Sequence, residues 1–454
     1  MWGVCFSVNA PPSGSLKLRL PHPFVLLLAG VGIAAALTWV LPAGAYDRRT
    51  DEVTGREVVV PGTYHRVEAS PVGPWAALVA VPRGIVAGGE VIVATLLVGG
   101  VMVLLDSTGA LSRLVGALVG RSRRPRLIVA CVCIGFATLG ALENLHEEII
   151  PLIPILLVLS AGLGFGPVTA LAMSVGAAVI GSAFGPTNPF QTSLALKYAG
   201  IPGLSMPGLR FGLLVVAVAL WIIYTLAMTR RDPALEGSAA PSVEQPTRRD
   251  FLLVTLAVLP FVPYVIGVLQ FDFGFNELSA FFLVAGFAVG LASGRNLTAT
   301  AASYLKSMEP LLGACLFIGV ARAISVVFTD GRVIDTIIHG LSLPLNILPP
   351  LAAAMSMVPM HALIHVPVVS VSGQAVLTMP IMAPLADLLS ISRDAAVIAY
   401  QTGAGLMDMI TPTNGALLAM LLSAKVDFGR WLKFAIPGAL LIALVGLAGV
   451  ALAL

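Results

Sequence analysis

SGQAVLTMPIMAPLADL (Ser372–Leu388) and, later in the same stretch, GAGLMDMITPTNG (Gly403–Gly415) carry the reading of the fold. The stretch is apolar enough for a membrane. Hydroxyls, amides and helix breakers nevertheless interrupt it at Ser372-Gly373-Gln374 and at Thr411-Pro412-Thr413-Asn414-Gly415. Within hydrocarbon every backbone N–H and C=O needs a partner, so a helix breaks only against protein or a wet cavity. Helix ends exposed beside hydroxyl and amide side chains suit a small ion or a carboxylate. The alternative for a single break is a mere kink, because Pro and Gly are common in transmembrane helices.

The pattern occurs twice. Pro154-Ile155-Leu156 and Pro186-Thr187-Asn188 recur as Pro380-Ile381-Met382 and Pro412-Thr413-Asn414, and 380 − 154 and 412 − 186 both give 226. At that spacing His146-Glu147-Glu148 falls on Ser372-Gly373-Gln374, and Ser182 falls on Asp408. Upstream, Gly109–Val115 is similar to Gly331–Ile337, with 331 − 109 giving 222. Two interrupted apolar segments at corresponding places in two halves point to a transporter site.

Composition bounds the class. Of 454 residues 57% are hydrophobic and 11% charged, with a mean hydropathy of +0.96. A soluble domain carries about 25% charged residues, so this is a polytopic membrane protein. A net charge of +3 gives no sign of a nucleic-acid partner. Cys5, Cys131, Cys133 and Cys315 lie mostly in apolar runs, without the spacing of a disulfide framework or a metal site.

Basic residues order the topology. We expect a disordered N-terminus over residues 1–20, a first membrane repeat over 21–229, a cytoplasmic linker over 230–250 and a second repeat over 251–454. Phe24–Leu41 is long enough to cross. A cleavable signal is the alternative, because Pro42–Tyr46 mimics a peptidase site. Placing the arginines from Arg113 to Arg126 inside leaves the N-terminus cytoplasmic and the C-terminus outside. The expected fold is all-α, with nine spans and two re-entrant hairpins that enter from opposite sides, so that the repeats have inverted topology. The arms of the first hairpin are Leu127–Leu142 and Ile149–Phe165; those of the second are Ile347–Val366 and Ala375–Leu389.

With these residues in place, the chain resembles the anaerobic C4-dicarboxylate carrier-like family and its relatives, the basic amino-acid antiporters of the ion transporter superfamily. The resemblance rests on PHPFVLLLAGVGIAAALTWVLPAG at Pro21, ARAISVV at Ala321, SGQAVLTMPIMAPLADLLSISRDAAVIAYQ at Ser372 and ITPTNGALLAML at Ile410, and spans Pro21 to Gly438. It implies secondary transport of a small carboxylate or amino acid, an elevator motion and a homodimer. This chain departs from the family in having Asp408 where members often have Asn, and His146 where they often have Gly.

Arg322 lies mid-span, where a cation costs at least about 2.5 kcal/mol without a partner or a wet cavity. It is either a bidentate clamp for a substrate carboxylate or a structural ion pair with Asp408 or the Glu pair. Glu147 and Glu148, beside Glu143 and His146, carry a proton or meet a substrate cation, unless they form a solvated turn. Asn144, Thr187, Asn188, Ser372, Gly373, Gln374, Thr413 and Asn414 supply neutral ligands at the breaks. Asp408, with Ser182 at the corresponding place, is the ion-coupling candidate of the second half. His361 and His365 are either metal ligands or, more often in such a setting, packing histidines.

The reading is a secondary active transporter in a bacterial-type inner membrane. It is driven by H+ or Na+ and moves an amino acid or, alternatively, a C4-dicarboxylate. No catalytic constellation, cofactor or metal is expected. An intramembrane enzyme using Asp408 with the Glu pair, and a channel, are the rivals from other classes.

Overall fold

The computed structural model describes residues 23–50, 57–121, 124–144, 146–228, 245–271 and 273–454. The expected disordered N-terminus and most of the expected 230–250 linker lie outside the described residues. The described chain is helical almost throughout, which satisfies every backbone group within the segment where no water can. Seven of the described helices are long and apolar enough to span a bilayer. Among the described residues, strand is confined to two short antiparallel ribbons in the polar loop after the first helix, Gly44–Ala45 with His65–Arg66 and Arg48–Thr50 with Glu57–Val59. That loop is fastened to helix Ile334–Ser342, where Asp335 accepts from Arg48 Nη2 at 2.9 and 3.0 Å and from the Tyr46 N–H at 3.0 Å.

The proline repeat is a repeat of elements. The first hairpin has arms Pro125–Glu143 and Ile153–Gly162, joined through a 3-10 turn at Glu147–Leu152. The second has arms Pro350–His365 and Val371–Leu388. Each is followed by a broken helix: Pro167–Phe184 resumes at Thr192–Tyr198, and Arg393–Met407 resumes at Gly415–Ser423. Long helices, Pro207–Met228 and Phe428–Leu452, close the two halves.

Three boundaries differ from expectation. Ser372-Gly373-Gln374 is not a helix break: these residues form the first turn of Val371–Leu388, and Ser370 caps it by accepting from the Gly373 N–H at 3.2 Å. The real interruption is residues 366–370, where Pro367 cannot extend the preceding helix. The expected crossing Phe251–Phe271 is two helices, Arg248–Val258 and Phe261–Phe271, separated around Pro260. The leading arm of the first hairpin is longer than expected, and its Pro125–Leu142 segment suffices to cross a bilayer.

Glycine sets how closely each hairpin approaches its broken helix. A Cβ on Gly181 would sit 1.9 Å from the Ala137 carbonyl oxygen, and one on Gly403 would sit 2.2 Å from that of Val358. Such backbone-to-backbone contact is how membrane helices pack without a hydrophobic drive between them. The core falls into two apolar clusters. The larger holds both hairpins and both broken helices; the smaller gathers Gly89–Asp106 with the helices from Arg248 to Met308.

At the start of Arg248–Val258, Asp250 is 1% exposed and grips Arg113 Nε at 3.0 Å and Nη2 at 2.6 Å. It also accepts from the Thr247 N–H at 2.7 Å in a capping box. The Arg113 guanidinium holds this carboxyl well below the usual carboxylate range. A lowered carboxylate pKa contributes stability above the ordinary carboxylate range and loses it as pH falls towards the lowered value. Asp250→Asn is therefore expected to lower the Tm at neutral pH, with the gap from wild type narrowing in acid. Thermal unfolding in detergent at both pH values checks this.

Candidate functional site

Where the two apolar clusters meet, the first hairpin's tip, the second broken helix and the Arg322 helix enclose a cavity of about 150 Å³. That volume is an order of magnitude above the roughly 10–15 Å³ that one water needs. Asn144, His146, Glu147, Glu148, Arg322, Ser370, Ser372, Asp408 and Asn414 line it, and Tyr264 and Phe275 face it from the smaller cluster. A second cavity of about 40 Å³ shares Glu147, Arg322, Val369 and Asn414 and reaches Gly415 and Ala416. Those two residues begin helix Gly415–Ser423, whose positive dipole end therefore lies beside the guanidinium. A larger depression of about 700 Å³ opens at the surface around Pro186 and Lys197. With one charged side chain it has less chemistry to offer than the smaller, less open site.

Arg322 is held on Leu312–Asp330, which is pressed against Pro74–Ala87 through glycines. A Cβ on Gly84 would lie 2.4 Å from the Gly319 carbonyl oxygen. The guanidinium is half-buried, and among the described residues no carboxylate lies within ion-pair distance of it. The structural ion pair with Asp408 or the Glu pair is thus absent among the described residues. Glu148 is buried, with its Oε2 accepting from the His146 N–H at 3.1 Å, while Glu147 is partly exposed to the cavity. Asn144 ends Pro125–Glu143 in the left-handed region, φ 59°, which turns the chain towards the Glu pair.

Asp408 stands at the break of the second helix. It takes His365 Nε2 at 2.9 Å on Oδ1 and the Asn414 Nδ2 at 3.2 Å, with His146 Nδ1 3.9 Å from Oδ2. Asn414 also donates from Nδ2 to the Asp408 carbonyl at 3.0 Å, and its Oδ1 caps the resumed helix through the Leu417 N–H at 3.0 Å. His365 is completely buried, and its other nitrogen, Nδ1, lies 2.9 Å from Gln374 Oε1. The sequence offered His365 only as a packing or metal-binding residue. Its partner lies 43 positions away, beyond any local pattern.

The five other expected residues stand outside this cavity. Thr187 is exposed on the surface depression. Asn188 is buried: its Nδ2 donates to the Gly140 carbonyl at 2.9 Å, and its Oδ1 accepts from the Phe190 and Gln191 N–H groups. Thr413 donates to the Val366 carbonyl at 3.0 Å. Since 366 − 140 is 226, Asn188 and Thr413 tie each broken helix to the same point of its hairpin. Gly373 spends its N–H on Ser370, and Gln374 is fully buried between His361 and His365. These groups brace the breaks and leave the cavity to others.

Residues 20–454 match the family model described as the C4-dicarboxylate anaerobic carrier, DcuC. An uncharacterized protein of Haemophilus influenzae (strain ATCC 51907 / DSM 11121 / KW20 / Rd) is 27% identical over 478 residues, covering 92% of this chain and 94% of its own. The Escherichia coli (strain K12) protein with the provisional name basic amino acid antiporter YfcC is 27% identical over 469 residues, covering 92% and 93%. Among solved structures, the YdaH transporter of Alcanivorax borkumensis matches at TM-score 0.45 and 19% identity, over 95% of this chain and 98% of that one. MtrF of Neisseria gonorrhoeae, described with a class of antimetabolite efflux pumps, matches at TM-score 0.44 and 16% identity, over 96% of each chain. This multi-pass membrane protein belongs to the C4-dicarboxylate anaerobic carrier family of transporters.

Proposed function

We propose that the protein is an ion-coupled secondary transporter of an amino acid, embedded in a bacterial-type inner membrane. One observation carries the cargo class. A single guanidinium, Arg322, shares its cavity with three carboxylates, Glu147, Glu148 and Asp408. A zwitterion places its carboxylate between Arg322 and the amino end of Gly415–Ser423, and its ammonium among the acids. A C4-dicarboxylate, the cargo in the family's description, would bring two more negative charges to a site already holding more acids than bases. The provisional name of the Escherichia coli relative points the same way.

The transport cycle we infer carries the hairpins and broken helices together past the smaller cluster, with the cavity at the seam. Opposite orientation of the two repeats, an inside N-terminus, an outside C-terminus and a homodimer complete the proposal. The test is a thermal-shift screen of purified protein against amino acids and C4-dicarboxylates. A ligand present at a hundredfold excess over its Kd stabilises by about 2.7 kcal/mol. Amino acids, basic ones first, are expected to raise the Tm, with succinate and fumarate inert. Stabilisation by the dicarboxylates alone would reverse the cargo assignment.

A further inference from the structure

Gln374 fixes the proton arrangement behind Asp408. Its Nε2 donates to the His361 backbone carbonyl at 2.8 Å, and a carbonyl can only accept. That contact settles the amide's orientation and leaves Oε1, also an acceptor, facing His365 Nδ1 at 2.9 Å. His365 Nδ1 must therefore carry hydrogen. At the other edge of the ring, Nε2 lies 2.9 Å from Asp408 Oδ1, and this contact needs one proton. The proton sits either on the imidazole, opposite a carboxylate, or on the carboxyl, opposite a neutral imidazole. Without it, two lone pairs would face each other at hydrogen-bond distance in a buried setting.

We propose, building on the ion-coupled reading above, that His365 and Asp408 form a one-proton site that carries the coupling ion, and that this ion is H+. The proton binds between Nε2 and Oδ1 and leaves to water. It cannot leave while the two groups remain in contact, so release requires His365, on the second hairpin, to part from Asp408, at the helix break. The hairpin's position is thereby tied to the site's protonation. The repeat isolates the device in one half: positions equivalent to His361, His365 and Asp408 hold Gly135, Leu139 and Ser182. Ser182 donates its hydroxyl to the Gly140 carbonyl at 3.0 Å and carries no charge.

Other titratable groups face the pair. His146 Nδ1 lies 3.9 Å from Asp408 Oδ2, and Glu147, Glu148 and Arg322 share the cavity. Tyr400, on the helix that ends at Asp408, spends its hydroxyl on the Val371 carbonyl at 2.5 Å. None of them closes the His365–Asp408 contact, so each tunes the site without replacing it.

Two measurements test this. The first uses the full-length wild-type protein, 15N-labelled at its six histidines, without any substrate. The NMR signal that His365→Gln removes is expected to show a protonated Nδ1 at every pH. It should undergo one single-proton step that Asp408→Asn displaces by at least about one pH unit. A bare Nδ1, or a step unmoved in Asp408→Asn, overturns the proposal. The second measures uptake of L-arginine into proteoliposomes with the membrane potential clamped. Uptake should respond to an imposed pH gradient with sodium absent, and Asp408→Asn should lose that response. A response to a sodium gradient alone overturns the proposal. Wild type that moves no amino acid would instead overturn the cargo assignment, and the NMR step would then decide the proton site alone.

Discussion

Arg322→Lys is expected to weaken amino-acid binding almost as much as Arg322→Ala. A guanidinium offers a carboxylate two parallel N–H···O bonds from a rigid fork, and an ammonium cannot reproduce them. Losing a charge-assisted contact of this kind costs about 1.5–3 kcal/mol, roughly ten- to a hundredfold in Kd. The alternative, a structural ion pair, would lower the Tm and leave the affinity of the folded fraction unchanged. The cavity favours the first outcome, because the described structure gives the half-buried guanidinium no carboxylate within ion-pair reach. Binding isotherms and melting curves on the same purified variants separate the two. Unaltered affinity in folded Arg322→Ala would remove the clamp from the mechanism.

Gly181→Val and Gly135→Val should behave as opposites. At Gly181 the first added carbon would fall 1.9 Å from the Ala137 backbone oxygen, so the helix pair must separate. Overpacking typically costs about 1–3 kcal/mol, and a backbone obstacle belongs at or above the upper end. Gly135, two residues before Ala137 on the hairpin arm, is exposed, and a Cβ added there would meet nothing within 4 Å. Its substitution is expected to leave folding intact. Size-exclusion profiles and Tm of the two variants give the comparison. Equal behaviour would show that the hairpin and the broken helix do not depend on this close approach.

The repeat was legible because helix breaks in a membrane need Pro, Gly and amide residues, and those residues recur at one spacing. What each member of the repeat does was not legible. Pro186-Thr187-Asn188 and Pro412-Thr413-Asn414 are the same triplet, yet Asn188 braces the Gly140 carbonyl while Asn414 holds Asp408. The difference arises six residues upstream, where Ser182 or Asp408 decides what the asparagine amide meets.

Ser372-Gly373-Gln374 reads as a break, and is not one, for a related reason. Two hydroxyls, Ser370 and Ser372, could cap the helix, and it is Ser370 that accepts from the Gly373 N–H, so Ser372 falls inside the first turn. His365 carried no signal of a proton site in the sequence. A histidine on an apolar arm becomes a proton carrier only through partners that the fold brings to it, Gln374 on one edge and Asp408 on the other.

The central claim, that this fold carries an amino acid across the membrane, is tested most directly by counterflow in proteoliposomes. Vesicles preloaded with unlabelled L-arginine or L-ornithine should accumulate external labelled L-arginine transiently and saturably, and Arg322→Ala vesicles should not. Vesicles preloaded with succinate should accumulate neither labelled succinate nor labelled L-arginine. Accumulation of succinate, with none of either amino acid, would contradict the account.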